Sequence, residues 1–152
     1  MGRRDNIFLA AAVFFVIGLV KRNKSLWLGA FFFGLGLLAT DLSLLFLKKF
    51  FHMPRPYEVL SEVYRVGIAE GFSFPSGHAA TYSFVAVFMI LVDRRWTFFW
   101  IILTLLGGLG RVYQGVHYPL DALAGWVLGG FLAYGAAKFY ERTLRLKSFK
   151  LF

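Results

Sequence analysis

The sequence predicts an all-α integral membrane protein. We expect a bundle of five transmembrane helices, with a short interfacial helix between the second and third spans. Of the 152 residues, 59% are hydrophobic and 20% aromatic, and the mean hydropathy is +0.64. Soluble domains are about 45–50% apolar, so a soluble chain of this composition would have too few polar side chains to cover its surface. The length predicts a single domain over residues 1–152.

Five apolar stretches predict the transmembrane spans, because each approaches the roughly 17–25 residues that a bilayer requires. They are residues 6–20, 25–47, 75–92, 96–113 and 119–140. The first stretch follows Arg3 and Arg4, as a signal peptide would. No small-residue cleavage site comes after it, so we interpret it as an uncleaved span.

The polar stretch 51–74 lies between the second and third spans. Part of it has apolar side chains at helical spacing, at Leu60, Val63, Tyr64 and Ile68. This pattern predicts a short interfacial helix within 57–70. Such a helix would guide a lipid headgroup or cover a pocket, or it would be only an amphipathic connector.

The net charge of +9 and the absence of cysteine exclude several functions. Basic loops are normal on the cytoplasmic side of a membrane protein, where anionic lipid attracts them. No basic helix or aromatic-basic platform occurs outside the apolar stretches, so we expect no nucleic-acid partner. Without cysteine there are no disulfides, cysteine-ligated clusters or thiol nucleophiles.

Basic residues also predict the orientation in the membrane. Five alternating spans divide the 17 Lys and Arg residues into ten on one side and seven on the other. The side with ten is expected to be cytoplasmic. The N-terminus and three polar clusters, residues 48–56, 75–78 and 110–121, then lie on the outer side.

The first two clusters and Arg111 are suited to holding an anion. Lys48, Arg55 and Arg111 supply cations for phosphate oxygens. Ser76 and Gly77 precede an apolar helix, where unpaired backbone N–H groups and the helix dipole favour an anion.

The histidines add possible catalytic groups. His117 and Asp121 are four residues apart around Pro119, a good residue for a first helical turn. A carboxylate in that position would orient the imidazole of His117 as a nucleophile. His78 arrives from another span and would protonate a leaving oxygen, which together suits phosphoryl transfer.

This combination resembles the three-part signature of the type 2 phosphatidic acid phosphatase family, which is related to vanadium haloperoxidases. The three parts are Lys48 with Arg55-Pro56, then Pro75-Ser76-Gly77-His78, then Arg111 with His117 and Asp121. Each part alone is weak, but their order and spacings together are specific and cover about half of the chain.

The resemblance implies dephosphorylation without a metal or another cofactor, through a phosphohistidine intermediate. It makes His117 the nucleophile, Asp121 its orienting partner and His78 the general acid. It also implies a phosphate-binding set, which comprises Lys48, Arg55, Ser76, Gly77 and Arg111.

The chain departs from the family pattern in two places. Gly110 stands where the family usually has a serine, so one hydroxyl contact to phosphate is missing. Many family members also have three spans before the first motif is complete, whereas we count two here.

Other residues in and near the clusters have less specific interpretations. A His117–Asp121 metal site is the alternative to catalysis. His52 is interpreted as a bystander or a substrate contact, and Lys49 as a side chain reaching the headgroups. Arg65 is interpreted either as another side chain that reaches the headgroups or as a residue that binds the lipid. Asp41 lies within a span and is either a structural partner of another helix or part of the site.

The predicted function is therefore hydrolysis of a lipid phosphate ester or diphosphate. By resemblance to short bacterial family members, the leading substrate is lipid A 1-phosphate. The other candidates are undecaprenyl diphosphate, phosphatidylglycerol phosphate and phosphatidate. A phosphotransferase with a lipid acceptor, or a non-catalytic lipid-binding protein, are the alternatives. We expect the bacterial inner membrane, with the site on the periplasmic side.

Overall fold

Helices form all of the regular secondary structure that is described. The computed structural model describes residues 16–17, 20–66 and 69–149, with side chains as far as residue 145. The described helices are α1 (Lys24–Phe51), α2 (Pro56–Val59), α3 (Gly77–Val92), α4 (Thr97–Tyr113) and α5 (Pro119–Phe149), with a 3₁₀ turn at Arg94–Trp96. Of these, α1, α4 and α5 are longer than 16 residues. The predicted all-α class is confirmed for this part of the chain.

Local capping explains where these helices begin and end. Asn23 accepts a hydrogen bond from the N–H of Leu26 (3.1 Å) at the start of α1. At its end, His52 adopts a left-handed conformation with φ of 48°, and its N–H donates to the carbonyl of Lys48 (3.1 Å). Ser76 is the N-cap of α3 and accepts from the N–H of Ala79 (3.5 Å).

The outer surface of the bundle is apolar, as a bilayer requires. Within the described residues, three segments are long and apolar enough to cross a membrane, namely Lys24–Val59, Arg94–Tyr113 and Pro119–Arg145. Their outward side chains include Phe98 and Phe131, which are 77% and 73% exposed. Water would not tolerate so many exposed large apolar groups, whereas lipid does. The chain is therefore an integral membrane protein.

Helix α3 lies at the centre of the bundle and packs against α1, α4 and α5. It has 16 residues, a length of about 24 Å. Its contact with α5 depends on Gly125 and Gly129, which are spaced as in the small-xxx-small packing motif. A Cβ at either glycine would overlap a backbone carbonyl oxygen of α3, at Ser76 or Ala80. The two backbones therefore approach closely, which fixes the position of the N-terminal end of α3 relative to that of α5.

The predicted spans agree with the structure to different degrees. The second and fourth correspond to α1 and α4, and the fifth corresponds to α5, which continues to Phe149. The third corresponds to α3, which is apolar but shorter than the three candidate spans. The first predicted span lies outside the described residues except for residues 16, 17 and 20, so the count of five is not confirmed.

The helix between the second and third spans is shorter than the predicted stretch. Helix α2 has four residues, and 60–66 continue as turn and irregular chain. The backbone hydrogen bonds of 60–66 are not those of an α-helix: the N–H of Val63 donates to the carbonyl of Leu60 in a turn (3.1 Å), and the N–H of Val66 donates to the carbonyl of Gln114 in another segment (3.2 Å). Helical periodicity in the apolar residues was therefore misleading here.

Candidate active site

Backbone hydrogen bonds bring the three polar clusters to one end of the bundle. The N–H of Ser76 donates to the carbonyl of Asp121 (3.0 Å), which joins the start of α3 to the first turn of α5. The N–H of Ser73 donates to the carbonyl of Met53 (2.8 Å), which joins the segment before α3 to the first cluster, just after α1. Residues far apart in sequence thus surround a common site.

His117 and Asp121 form a buried pair, with 4% and 1% of each residue exposed. Nδ1 of His117 lies 3.3 Å from Oδ2 of Asp121. The same oxygen accepts the backbone N–H of Tyr118 (2.8 Å) and the hydroxyl of Ser73, which makes a short hydrogen bond to it. The carboxylate is therefore held by three donors and cannot easily turn away from the imidazole.

This arrangement leaves the other nitrogen of His117 available for chemistry. When Nδ1 carries the proton and donates to Asp121, Nε2 keeps its lone pair. Nε2 lies 3.5 Å from Nη1 of Arg55. A group that reacts at Nε2 would therefore be next to a fixed positive charge, as an anionic phosphoryl group requires.

The electrostatic surroundings favour the neutral form of His117. Burial lowers the pKa of this imidazole from its ordinary value of 6.5, and the nearby charges of Arg55 and Lys48 lower it further. The hydrogen bond to Asp121 raises the pKa but does not cancel the effect of burial. The imidazole is therefore neutral at neutral pH, with a free lone pair on Nε2, which is the form that can attack an electrophile.

Arg55 makes several hydrogen bonds to backbone carbonyls of neighbouring segments. It is buried, and its Nε donates to Gly71 (2.8 Å) while Nη2 donates to Glu70 (2.8 Å) and Phe72 (3.3 Å). Nη1 donates to Val116 (2.8 Å). Arg55 thus organises the chain on both sides of the site, and its contact with phosphate stays a prediction.

Lys48 has a similar environment at the end of α1. Its Nζ donates to the carbonyls of Phe72 (2.6 Å) and Ser73 (3.2 Å). These bonds place a cation beside the segment that precedes α3. Binding of phosphate by Lys48 also stays a prediction.

The remaining predicted site residues lie at the start of α3 and at the end of α4. Ser76 and Gly77 are buried at the N-terminus of α3, and His78 follows them in its first turn, half-buried. Arg111 lies in the last turn of α4, where its Nη1 donates to Oε1 of Gln114 (2.7 Å). His78 and Arg111 line the same pocket, between α3 and α4.

Ser73 and Gln114 are the residues at the site that the sequence did not reveal. Ser73 is buried, and its Oγ also lies 3.5 Å from Nδ1 of His117. The only feature of the nearby sequence that could have pointed to Ser73 is its hydroxyl group, three residues before Ser76. The side-chain oxygen of Gln114 accepts a hydrogen bond from Arg111, and its backbone carbonyl accepts one from the N–H of Val66. A glutamine after a helix is too common in sequences to predict either contact.

The other polar candidates are exposed or only half-buried. His52 is exposed and its ring stacks edge-on against Phe72, with centroids 4.5 Å apart. Arg65 is exposed, lies over the ring of Tyr57 at 4.8 Å and donates to Ala69 (3.2 Å). Asp41 is half-buried within α1 and Lys49 is exposed. In the described part of the chain, no group of three His, Asp or Glu residues has an arrangement that could hold a metal ion.

Comparison with curated proteins identifies several phosphatases that are similar to parts of this chain. An undecaprenyl-diphosphatase of Sulfolobus acidocaldarius is 44% identical over 64 residues, 41% of this chain and 31% of its own length. A lipid A 4'-phosphatase of Bacteroides thetaiotaomicron is 42% identical over 84 residues, which are 51% of this chain and 36% of its own length. A lipid A 1-phosphatase of Rhizobium etli is 36% identical over 126 residues, which are 76% of this chain and 52% of its own length. The chain thus spans about a third to a half of these relatives.

The fold is also similar to that of a solved structure. It is a transmembrane PAP2-type phosphatidylglycerolphosphate phosphatase from Bacillus subtilis, with a TM-score of 0.64 and 25% sequence identity. The match covers 91% of this chain and 75% of that one. The sequence profile of the PAP2 superfamily matches residues 29–145, which include all three polar clusters. The chain therefore belongs to the PAP2 superfamily, as the signature in its sequence predicts.

Proposed function

We propose that this protein is a membrane lipid phosphatase that hydrolyses a phosphate ester or diphosphate through a phosphohistidine on His117. The observation that carries the proposal is the buried His117–Asp121 pair, with Nε2 of His117 next to the guanidinium of Arg55. A neutral, oriented imidazole beside a fixed cation suits attack on an anionic phosphorus centre.

The first step transfers the phosphoryl group to the protein. Nε2 of His117 attacks phosphorus, and the bond between phosphorus and the leaving lipid oxygen breaks. The leaving oxygen takes a proton from the cationic imidazole of His78. Asp121 stabilises the positive charge that develops on His117 when its second nitrogen becomes bonded.

The second step releases inorganic phosphate. A water molecule attacks the phosphorus of phosphohistidine while its proton passes to the now neutral His78. The bond between phosphorus and Nε2 breaks, which restores both histidines to their starting forms. Lys48, Arg55, Arg111 and the N-terminus of α3 at Ser76 and Gly77 would stabilise the charge on the phosphoryl oxygens in both steps.

We infer that the substrate is a lipid because the chain is an integral membrane protein and the named relatives act on lipid phosphates or diphosphates. Lipid A 1-phosphate is the leading candidate, since the lipid A 1-phosphatase of Rhizobium etli matches three quarters of this chain. Undecaprenyl diphosphate, phosphatidylglycerol phosphate and phosphatidate are the others. We propose that the protein lies in a bacterial inner membrane. We also propose that the site faces the periplasm, because that side has fewer Lys and Arg residues.

The test is phosphate release by the purified protein from these four lipids, with EDTA present and no metal added. We expect release from at least one lipid, its loss in His117→Ala, and its retention in His52→Asn. His52 is the matched control because it is exposed and asparagine tolerates its left-handed backbone. Activity that EDTA abolishes would contradict the histidine mechanism.

Labelled substrate identifies the intermediate and the acceptor. We expect an acid-labile, base-stable phosphoprotein in the wild type and none in His117→Ala. Label that appears in inorganic phosphate identifies a phosphatase, whereas label in a second lipid identifies a phosphotransferase. Lipid binding without label transfer or release would identify a non-catalytic protein and overturn the proposal.

A further inference from the structure

A groove of about 270 Å³ lies between α3 and α4 and has two chemically different ends. Its residues divide into a polar group and an apolar group. The polar group is His78, Arg111 and Gln114, and the apolar group includes Tyr82, Leu103 and Leu106. The polar end adjoins the candidate active site, because Arg111 and Gln114 directly precede the loop that carries His117.

The groove runs along α4 into the region that hydrocarbon surrounds. The lining residues from Leu103 on α4 to Gln114 at its C-cap extend over about 16 Å, roughly half the thickness of a bilayer core. Leu106 is 65% exposed on the outer surface of a candidate span. The groove is therefore accessible from the lipid phase along its side, and its long axis follows the helix.

Gly110 keeps the groove wide next to its polar end. A Cβ built at this position meets no atom within 4 Å, unlike a Cβ at Gly107, which would overlap the ring of Tyr82. Gly110 therefore faces open space that a larger side chain would fill. The family signature usually has a serine here, so this chain has more room at that point.

We propose that this groove holds the hydrocarbon chain of the substrate during turnover, and that Gly110 leaves the space for it. The inference rests on the proposed lipid phosphatase function. With the phosphate at the polar end, the leaving oxygen would lie beside His78 and the chain would continue past Gly110 towards Leu103. Contact of the chain with apolar side chains would stabilise the complex in proportion to the area that it buries.

The first test compares a long and a short lipid on matched variants. Leu103→Trp and Gly110→Leu fill the groove at two depths. Leu105→Trp makes the same change on an exposed, lipid-facing position of α4, and Gly135→Leu does so at another glycine with no atom within 4 Å. The substrates are dioleoyl and dibutanoyl phosphatidate in detergent micelles.

We expect the ratio of kcat/KM for the long over the short lipid to fall by about tenfold or more in both groove variants. The two control variants should keep the wild-type ratio. Equal ratios in groove and control variants would overturn the proposal, even if the wild type hydrolyses both lipids.

The second test does not depend on turnover. His117→Ala protein is irradiated with phosphatidate that carries a diazirine in its acyl chain, and labelled peptides are mapped by mass spectrometry. We expect labels concentrated at Tyr82 and at 103–110. If the outward faces of α1 and α5 are labelled as strongly as Tyr82 and 103–110, the proposal is overturned. If the wild type releases phosphate from no lipid, the proposed function fails, and this map still decides the groove.

Discussion

Nη1 of Arg55 lies 3.5 Å from Nε2 of His117 and also donates to the carbonyl of Val116, at 2.8 Å. One guanidinium thus contacts the candidate nucleophile and the backbone that carries it. Its other nitrogens donate to carbonyls at 70–72. The planar arrangement of five donors allows this, because they diverge in fixed directions. Arg55 therefore links the loop before α5 to the segment before α3.

The variant Arg55→Lys tests this organising role. Lysine keeps the positive charge but has a single nitrogen, which cannot reach carbonyls on both sides of the site. We expect turnover to fall by roughly 10²-fold or more and thermal stability in detergent to decrease, because buried carbonyls lose their donors. Phosphate release and thermal unfolding measure these effects. A variant with normal stability and reduced turnover would instead support a direct phosphate contact alone.

The variant Asp121→Asn tests the orienting carboxylate. The hydroxyl of Ser73 and the N–H of Tyr118 both donate to Oδ2, so they would hold the amide oxygen of asparagine in the same place. We expect the fold to be kept, with an unfolding temperature close to the wild type. Turnover should fall roughly 10²–10⁴-fold, because the negative charge that stabilises a cationic His117 is gone. Normal turnover would remove Asp121 from the mechanism.

The protonation of His117 gives a prediction about pH. Burial and nearby cations lower its pKa below 6.5, so the neutral form should persist as the pH falls through the range in which a free imidazole becomes charged. Lys48→Met removes one of those cations and should raise the pKa of His117. NMR titration of ¹⁵N-labelled histidine in detergent measures both pKa values of His117, in the wild type and in the variant. A wild-type pKa of His117 above 6.5 would contradict the prediction.

The crossing of α3 and α5 gives a prediction about stability. A methyl group at Gly129 would overlap the carbonyl oxygen of Ala80, whereas one at Gly135 meets nothing within 4 Å. Gly129→Ala should therefore destabilise the protein by roughly 1–3 kcal/mol. Gly135→Ala should be neutral or stabilising by up to about 1 kcal/mol, because alanine favours a helix. Thermal unfolding of both variants in one detergent is the measurement, and equal effects would argue against the close contact.

Much of this fold follows from local patterns in the chain. The apolar stretches 25–47, 96–113 and 119–140 are helices because a bilayer leaves a continuous apolar segment no other way to satisfy its backbone. The Pro-Ser-Gly-His sequence predicted the start of α3, since Ser76 is a good N-cap. The pairing of His117 with Asp121 also followed from their spacing around Pro119, because four residues make about one helical turn.

The sequence revealed less about the segment 57–73. Apolar spacing predicted a helix there, but among the described residues of this segment only those of α2 are helical. The carbonyls of Gly71 and Phe72 bond instead to Arg55 and Lys48, which belong to other parts of the chain. The carbonyl of Ala69 bonds to the side chain of Arg65. Periodicity reports only which neighbours along a helix would share a face, so it cannot detect competition from a distant side chain.

Residue types and their spacing along the chain were enough to predict a helical membrane protein with its three polar clusters at one end. The tertiary structure alone determined that Ser73 donates to the carboxylate of Asp121, that Arg55 approaches Nε2 of His117, and that a groove opens beside Gly110. The physical reason is that these features arise where segments distant in the chain pack together. Contacts across such distances in the chain depend on how the helices cross, which no local pattern of residues specifies.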